Sequence, residues 1–137
     1  MPTDADRIIS TPRWMLWTGR FLSLIVVAQL LSSAWFRATQ HNYAVAEIVT
    51  TYGYPESAIA LVVIAECTLV VLYVIPQTSV FSAIMLTGYL GGAVATHLRI
   101  ADTARAMIPI VVGIVAWCGL YLRDRRIRQL IPFRRSA

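Results

Sequence analysis

The chain has 137 residues, of which 58% are hydrophobic and 14% charged, with a formal charge of +5. Soluble domains carry about a quarter charged residues, so this balance excludes an ordinary soluble fold and leaves an integral membrane protein with room for four crossings of about 20 residues. All twelve basic residues are arginine, and six crowd into Arg123 to Arg135 directly after an apolar run, which fits anionic headgroups and speaks against nucleic acid as a partner.

The N-terminal MPTDADRIIS is polar and acidic, unlike a cleavable signal peptide, so the first apolar segment is expected to be retained. That first crossing is predicted over 14–36, with Trp14, Trp17, Trp35 and Phe36 marking its interfacial ends. Arg20 near its inner end can reach back to the headgroups. Ala44, Ile48, Val49 and Tyr52 then recur at helical spacing, which predicts a short interfacial helix between Ala38 and Glu56. In GYPES, Gly53 permits a turn, Pro55 suits a first helical turn and Glu56 suits the positive end of the helix dipole, so the second crossing is placed at 57–75.

Pro76-Gln77-Thr78 leaves room only for a tight hairpin, so the third crossing, 79–98, runs antiparallel beside the second along a long contact. The fourth occupies 104–122, with Pro109 expected in an early turn where its missing amide hydrogen does least harm. A basic tail over 123–137 follows, in which Ile127, Leu130, Ile131 and Phe133 are expected at the membrane interface while the arginines meet lipid phosphates. The expected fold class is all-α: one membrane domain over 1–137, a multi-pass integral membrane four-helix bundle. An inside N-terminus puts Arg7, Arg13, Arg20 and the six tail arginines on the cytoplasmic side and leaves Arg37, Arg99 and Arg105 outside, so both termini are predicted cytoplasmic. Cys67 and Cys118 lie inside apolar runs and read as buried free thiols, with their proximity left open.

Glu66 falls at the midpoint of the second crossing, where an acidic side chain costs about 2.5–3.5 kcal/mol on insertion scales. It must face protein or water, and desolvation favours its neutral form unless an arginine or a hydrogen-bond network holds the anion. At about 1.5 Å of rise per residue, Gln29 and Tyr89 lie near its level, with Thr96, His97 and Arg99 one to two turns further out. Tyr89, Ala93, Thr96 and His97 share a helical stripe.

These residues outline a cavity for a lipophilic molecule, with Glu66, His97 and Tyr89 as candidate catalytic groups and Gln29, Thr96 and Arg99 as candidate ligand contacts. The competing reading is a neutral Glu66 hydrogen-bonded to a neighbouring helix, with His97 and Arg99 wetting the outer interface and Arg99 and Arg105 snorkelling. Gly88 and Gly92 form a GxxxG spacing that Thr96 continues, a helix-packing face toward either the second helix or another protomer. No metal-ligand spacing, nucleotide loop, Ser-His-Asp order or HExxH helix occurs, so no metal and no evident cofactor are expected.

The run from GYPES through YVIPQTSVFSAIMLTGYLGGAVATHLRI to WCGLYLRD resembles the DoxX-like family of small four-helix bacterial membrane proteins. The resemblance implies a four-helix bundle in the bacterial cytoplasmic (inner) membrane. It also implies a functionally heterogeneous group, named from a subunit associated with thiosulfate:quinone oxidoreduction. Three functions follow for testing. The first is an accessory subunit of a quinone-linked redox system, binding a quinone or other isoprenoid, or a partner helix. The second is a small intramembrane isomerase, cyclase or hydrolase using Glu66 as acid or base. The third is a structural bundle that dimerises through its glycine face.

Overall fold

A computed structural model describes residues 12–130. The expectations for Arg7, Ile131, Phe133, Arg134 and Arg135, and for the side chain of Leu130, fall outside the described residues. In chain order the elements are α1 (Arg13–Thr39), α2 (His41–Ala44), a π-helical segment (Val45–Thr51), α3 (Ser57–Val74), α4 (Ser79–Arg99), α5 (Thr103–Arg123) and α6 (Arg125–Leu130). The described residues contain no strand. Helices α1, α3, α4 and α5 are long and apolar enough to cross a membrane. The 21 residues of α4 alone span about 32 Å. Each of the four begins and ends within a few residues of its predicted bounds.

Local chemistry sets these bounds. Gly53 takes a φ of 73°, which turns the chain out of the π segment before α3 begins behind Pro55 and Glu56. The hairpin between α3 and α4 closes when the Thr78 hydroxyl donates to the Leu72 carbonyl at 2.8 Å, satisfying an acceptor the last turn of α3 leaves open. At the end of α4 the Asp102 amide donates to the His97 carbonyl at 3.0 Å across Ala101, whose φ is 59°. This is a Schellman-type stop with alanine where glycine is usual. Asp102 then caps α5 by accepting from the Arg105 amide at 3.0 Å.

The four long helices form a closed ring in which α1 packs on α3 and α5, and α4 packs on α3 and α5. Neighbours run antiparallel: Ser23 meets Tyr73 while Ser33 meets Glu66, so α1 ascends as α3 descends. The most extensive pairings involve α5, whereas the α3–α4 hairpin is a smaller contact than its short turn predicts. Lipid tails are as apolar as leucine, so such a ring is held by close packing and interhelical hydrogen bonds rather than by apolar burial. Tyr73 donates to the Ala116 carbonyl at 2.7 Å, Ser82 to the Leu69 carbonyl at 2.7 Å, and the Trp117 indole to Thr87 at 2.9 Å. Each such bond contributes about 0.6–2 kcal/mol in a bilayer. The large apolar side chains of Leu61, Ile64, Phe81, Ile84 and Ile114 point outward.

Several expectations need correcting. Backbones approach closely between α1 and α5, where a Cβ on Gly19 would lie 2.8 Å from the Gly119 carbonyl oxygen, whereas one on Gly88 or Gly92 would meet nothing within 4 Å. Among the described residues, therefore, Gly88 and Gly92 pack against no second helix. Pro109 sits in an early turn of α5 as expected, but in its second turn, where the missing hydrogen does cost a bond: the Arg105 carbonyl has no amide hydrogen to accept from residue 109. Cys67 and Cys118 are free but exposed on the outer surface rather than buried. Ile127 belongs to the core, 3% exposed, rather than to the interface. Ala44, Ile48 and Tyr52, at 0%, 4% and 6% exposure, are covered by the protein, so the segment between α1 and α3 turns its apolar face inward and not to lipid.

Candidate functional site

Glu66 lies 3% exposed in the middle of α3. Such a group demands donors, and three residues supply them. Arg37 Nη1 stands 3.0 and 3.2 Å from its two carboxylate oxygens, the Ser33 hydroxyl donates to Oε1 at 3.0 Å and the Tyr89 hydroxyl at 2.7 Å. Arg37 Nη1 also meets Ser33 Oγ. The carboxyl is thus held by a guanidinium and two hydroxyl donors from two neighbouring helices, rather than by a single bond to one of them.

Arg37 is near the C-terminal end of α1, yet its guanidinium reaches back to the level of Glu66. Helical side chains lean toward the N-terminus of their own helix. On an ascending helix that lean carries the guanidinium inward, to the turn occupied by Ser33. Its Nε simultaneously contacts Glu47 Oε2 at 3.0 Å, and the Tyr43 and Tyr52 hydroxyls donate to Glu47 Oε1 at 3.4 and 3.3 Å. Glu47 comes from the π segment, a geometry often found at functional sites. One arginine thus bridges a carboxylate of the transmembrane core and one of the covering segment. Burial and Glu47 push the Tyr52 phenol up to about 12.

This cluster lines a cavity of about 540 Å³. Ser33, Arg37, Glu47, Glu66, Tyr89 and His97 form its polar wall, and Leu30, Leu90, Ile108, Pro109 and Val112 its apolar wall. His97 Nδ1 is buried there without a hydrogen-bond partner among the described residues, and the ring stands edge-on to Tyr52 at 5.4 Å. Pro109 lies on the opposite side, where α5 lacks a backbone bond. A second, apolar groove of about 370 Å³ runs between α1 and α5, lined by Ile25, Val26, Met107, Val111 and Val115. Gln29, Ile108 and Val112 line both spaces.

Of the sequence candidates, Glu66, Tyr89, His97 and Gln29 lie on the cavity. Thr96 and Arg99 do not. Thr96 donates to the Gly92 carbonyl at 3.0 Å and accepts from the Tyr54 hydroxyl at 3.0 Å. Arg99 holds the Tyr52 carbonyl and lies over the Tyr54 ring at 5.4 Å, so both residues clamp the segment that covers the site. Ser33, Arg37 and Glu47 were missed. Arg37 was assigned to the outer flank by charge counting, although a buried carboxylate needs a cation and only three arginines lie at that end. Among the described residues no group of three or more His, Cys, Asp or Glu could hold a metal ion.

A family model described as the DoxX-like family matches residues 21–119, a stretch covering every residue of this polar cluster. The chain belongs to the DoxX-like family. No curated protein and no solved structure gives a significant match. This DoxX-like chain is accordingly a multi-pass integral membrane protein associated with the lipid bilayer.

Proposed function

We propose that this protein, seated in the bacterial cytoplasmic membrane with both termini inside, binds an amphiphilic small molecule and acts as an accessory component rather than an enzyme. The polar head would lie among Arg37, Glu66, Tyr89 and His97, and the apolar tail in the groove between α1 and α5. The observation that carries this reading is the sharing of Gln29, Ile108 and Val112 by the polar cavity and the apolar groove. Pockets that take small ligands are largely apolar with a few converging polar groups. A quinone or other isoprenoid has the matching form: an oxygen-bearing head able to accept from Arg37 or Tyr89, and a chain that belongs in lipid. A quinone-linked redox complex is the setting in which such an accessory chain would serve.

The alternative of an isomerase, cyclase or hydrolase with Glu66 as general acid or base draws less support, because both carboxylate oxygens are already engaged by Arg37, and Oε1 also by Ser33 and Tyr89. The test is extraction of small molecules from protein purified in native lipid, followed by mass spectrometry of wild type, Glu66→Gln and Val112→Trp. One lipophilic species should copurify with the wild type, fall sharply when the groove is filled by Val112→Trp, and weaken in Glu66→Gln. Equal recovery from all three proteins would sink the proposal, and turnover of that species by purified wild type would move the protein to the enzyme class.

A further inference from the structure

The opposite end of the bundle carries a second cavity, of about 500 Å³, that the proposed ligand does not use. Three arginines from two separate parts of the chain line it: Arg20 from α1, Arg123 from the end of α5 and Arg126 just beyond. Arg123 is held in place. Its Nη2 donates to the Tyr73 carbonyl at 2.7 Å and its guanidinium lies 4.7 Å from the Tyr73 ring centroid. Arg20 lies 5.7 Å from the Trp17 ring centroid, an aromatic of the belt type that sits at headgroup level.

Among the described residues, none of these three guanidinium groups has a carboxylate within ion-pair distance. The pairs found are Arg37 with Glu47 and Glu66, His41 with Glu56, and Arg105 with Asp102. Asp124 also lines the cavity, but one of its oxygens accepts from the Arg126 backbone amide at 2.9 Å. The remaining walls include Leu16 and Val74, both apolar, and the exposed amide of Gln77. Fixed positive charge in excess of negative, an amide donor and apolar walls at the end of a membrane helix ring form a cradle for a phosphate that enters with hydrocarbon attached.

We propose that this cavity binds the phosphate of an anionic phospholipid, one molecule per chain. Arg20 and Arg126 supply charge that no carboxylate among the described residues neutralises, while Arg123, oriented by Tyr73, fixes the position of the phosphate. The site is more specific than attraction of a basic tail to a charged surface, because it includes Arg20, more than a hundred residues away in sequence from the tail.

The test is native mass spectrometry of the full chain released from mixed phosphatidylglycerol and phosphatidylcholine micelles. The proteins compared are wild type, Arg20→Gln/Arg126→Gln, and the charge-matched control Arg13→Gln/Arg125→Gln. The wild type should retain one phosphatidylglycerol in preference to phosphatidylcholine. At about fivefold per arginine near an anionic surface, the pocket double variant should lose retention by more than about tenfold, while the control stays within about threefold of wild type. Equal losses in both double variants, or no preference for the anionic lipid, would overturn the pocket. A parallel arm adds inorganic phosphate to protein in phosphatidylcholine alone and measures thermal stability. Stabilisation there that depends on Arg20 and Arg126 would reassign the cradle to a free anion and overturn the lipid source.

Discussion

Replacing Arg37 by methionine should cost more than replacing Glu66 by glutamine. Arg37 contacts Glu47 at 3.0 Å and Glu66 at 3.0 Å, so its removal leaves two carboxylates without a cation, their side chains 18% and 3% exposed. Breaking a buried pair from one side costs about 3–5 kcal/mol. Ser33 and Tyr89 still donate to Glu66, each bond worth about 1 kcal/mol, which places Arg37→Met at the lower end, near 3 kcal/mol. Glu66→Gln behaves differently. Its amide oxygen still accepts from Tyr89, and Arg37 keeps Glu47, so a loss of about 1 kcal/mol is expected. In the double variant only Glu47 remains, with two tyrosine donors, and the loss should be about 2 kcal/mol, below the sum of the single losses. Reversible denaturation in defined mixed micelles, followed by tryptophan fluorescence, measures all three. An additive double variant, or an Arg37→Met no less stable than Glu66→Gln, would refute the shared-cation account.

Gly19→Ala should destabilise by about 1–3 kcal/mol, because the new Cβ meets Gly119 and Arg123 backbone atoms at 2.8 and 2.9 Å; Gly92→Ala should stay within about 0.5 kcal/mol in a monomer. A crosslinked dimer that Gly92→Leu abolishes would instead give the glycine face to a second protomer. Ala101→Gly should stabilise the fold by about 1 kcal/mol, since its φ of 59° suits glycine; an unchanged midpoint in the same micelles would contradict the assignment. Tyr52 titrates at about 12 against an ordinary 10.0, so the neutral phenol stabilises the fold below pH 10 and that contribution is lost as pH rises through 12. The absorbance difference at about 295 nm between wild type and Tyr52→Phe should therefore titrate late. A midpoint near 10 would place that phenol in water.

Periodicity and composition carry the membrane fold well, because a crossing is a long run of apolar residues and its ends are marked by tryptophan, glycine and proline. Depth arithmetic also brought Glu66, Tyr89 and Gln29 to one level. Helix rotation and side-chain reach are what it lacks. Thr96 and His97 are neighbours in sequence, yet one faces Tyr54 and the other the cavity. Arg37 lies near the C-terminal end of α1 by its Cα and at the level of Glu66 by its guanidinium. Glu47 enters through a π-helical turn, whose widened backbone no apolar pattern of period 3.6 announces. The glycines show the same limit, since Gly19 and Gly119 make a contact 100 residues apart that no local motif marks, while the conspicuous GxxxG meets nothing within the chain.

The contact between Gly19 and Gly119 has a mechanical consequence for the groove that α1 and α5 share. Backbone pressed on backbone makes a pivot, and Gln29, at the rim of the groove, stands ten residues or about 15 Å along α1 from it. A change of about 5° in the crossing angle would move that rim by about 1.3 Å over this lever arm. If the groove takes the tail of the proposed ligand, the width it offers would depend on two glycines near the opposite end of the bundle, which would set the aperture from a distance without touching what passes through it.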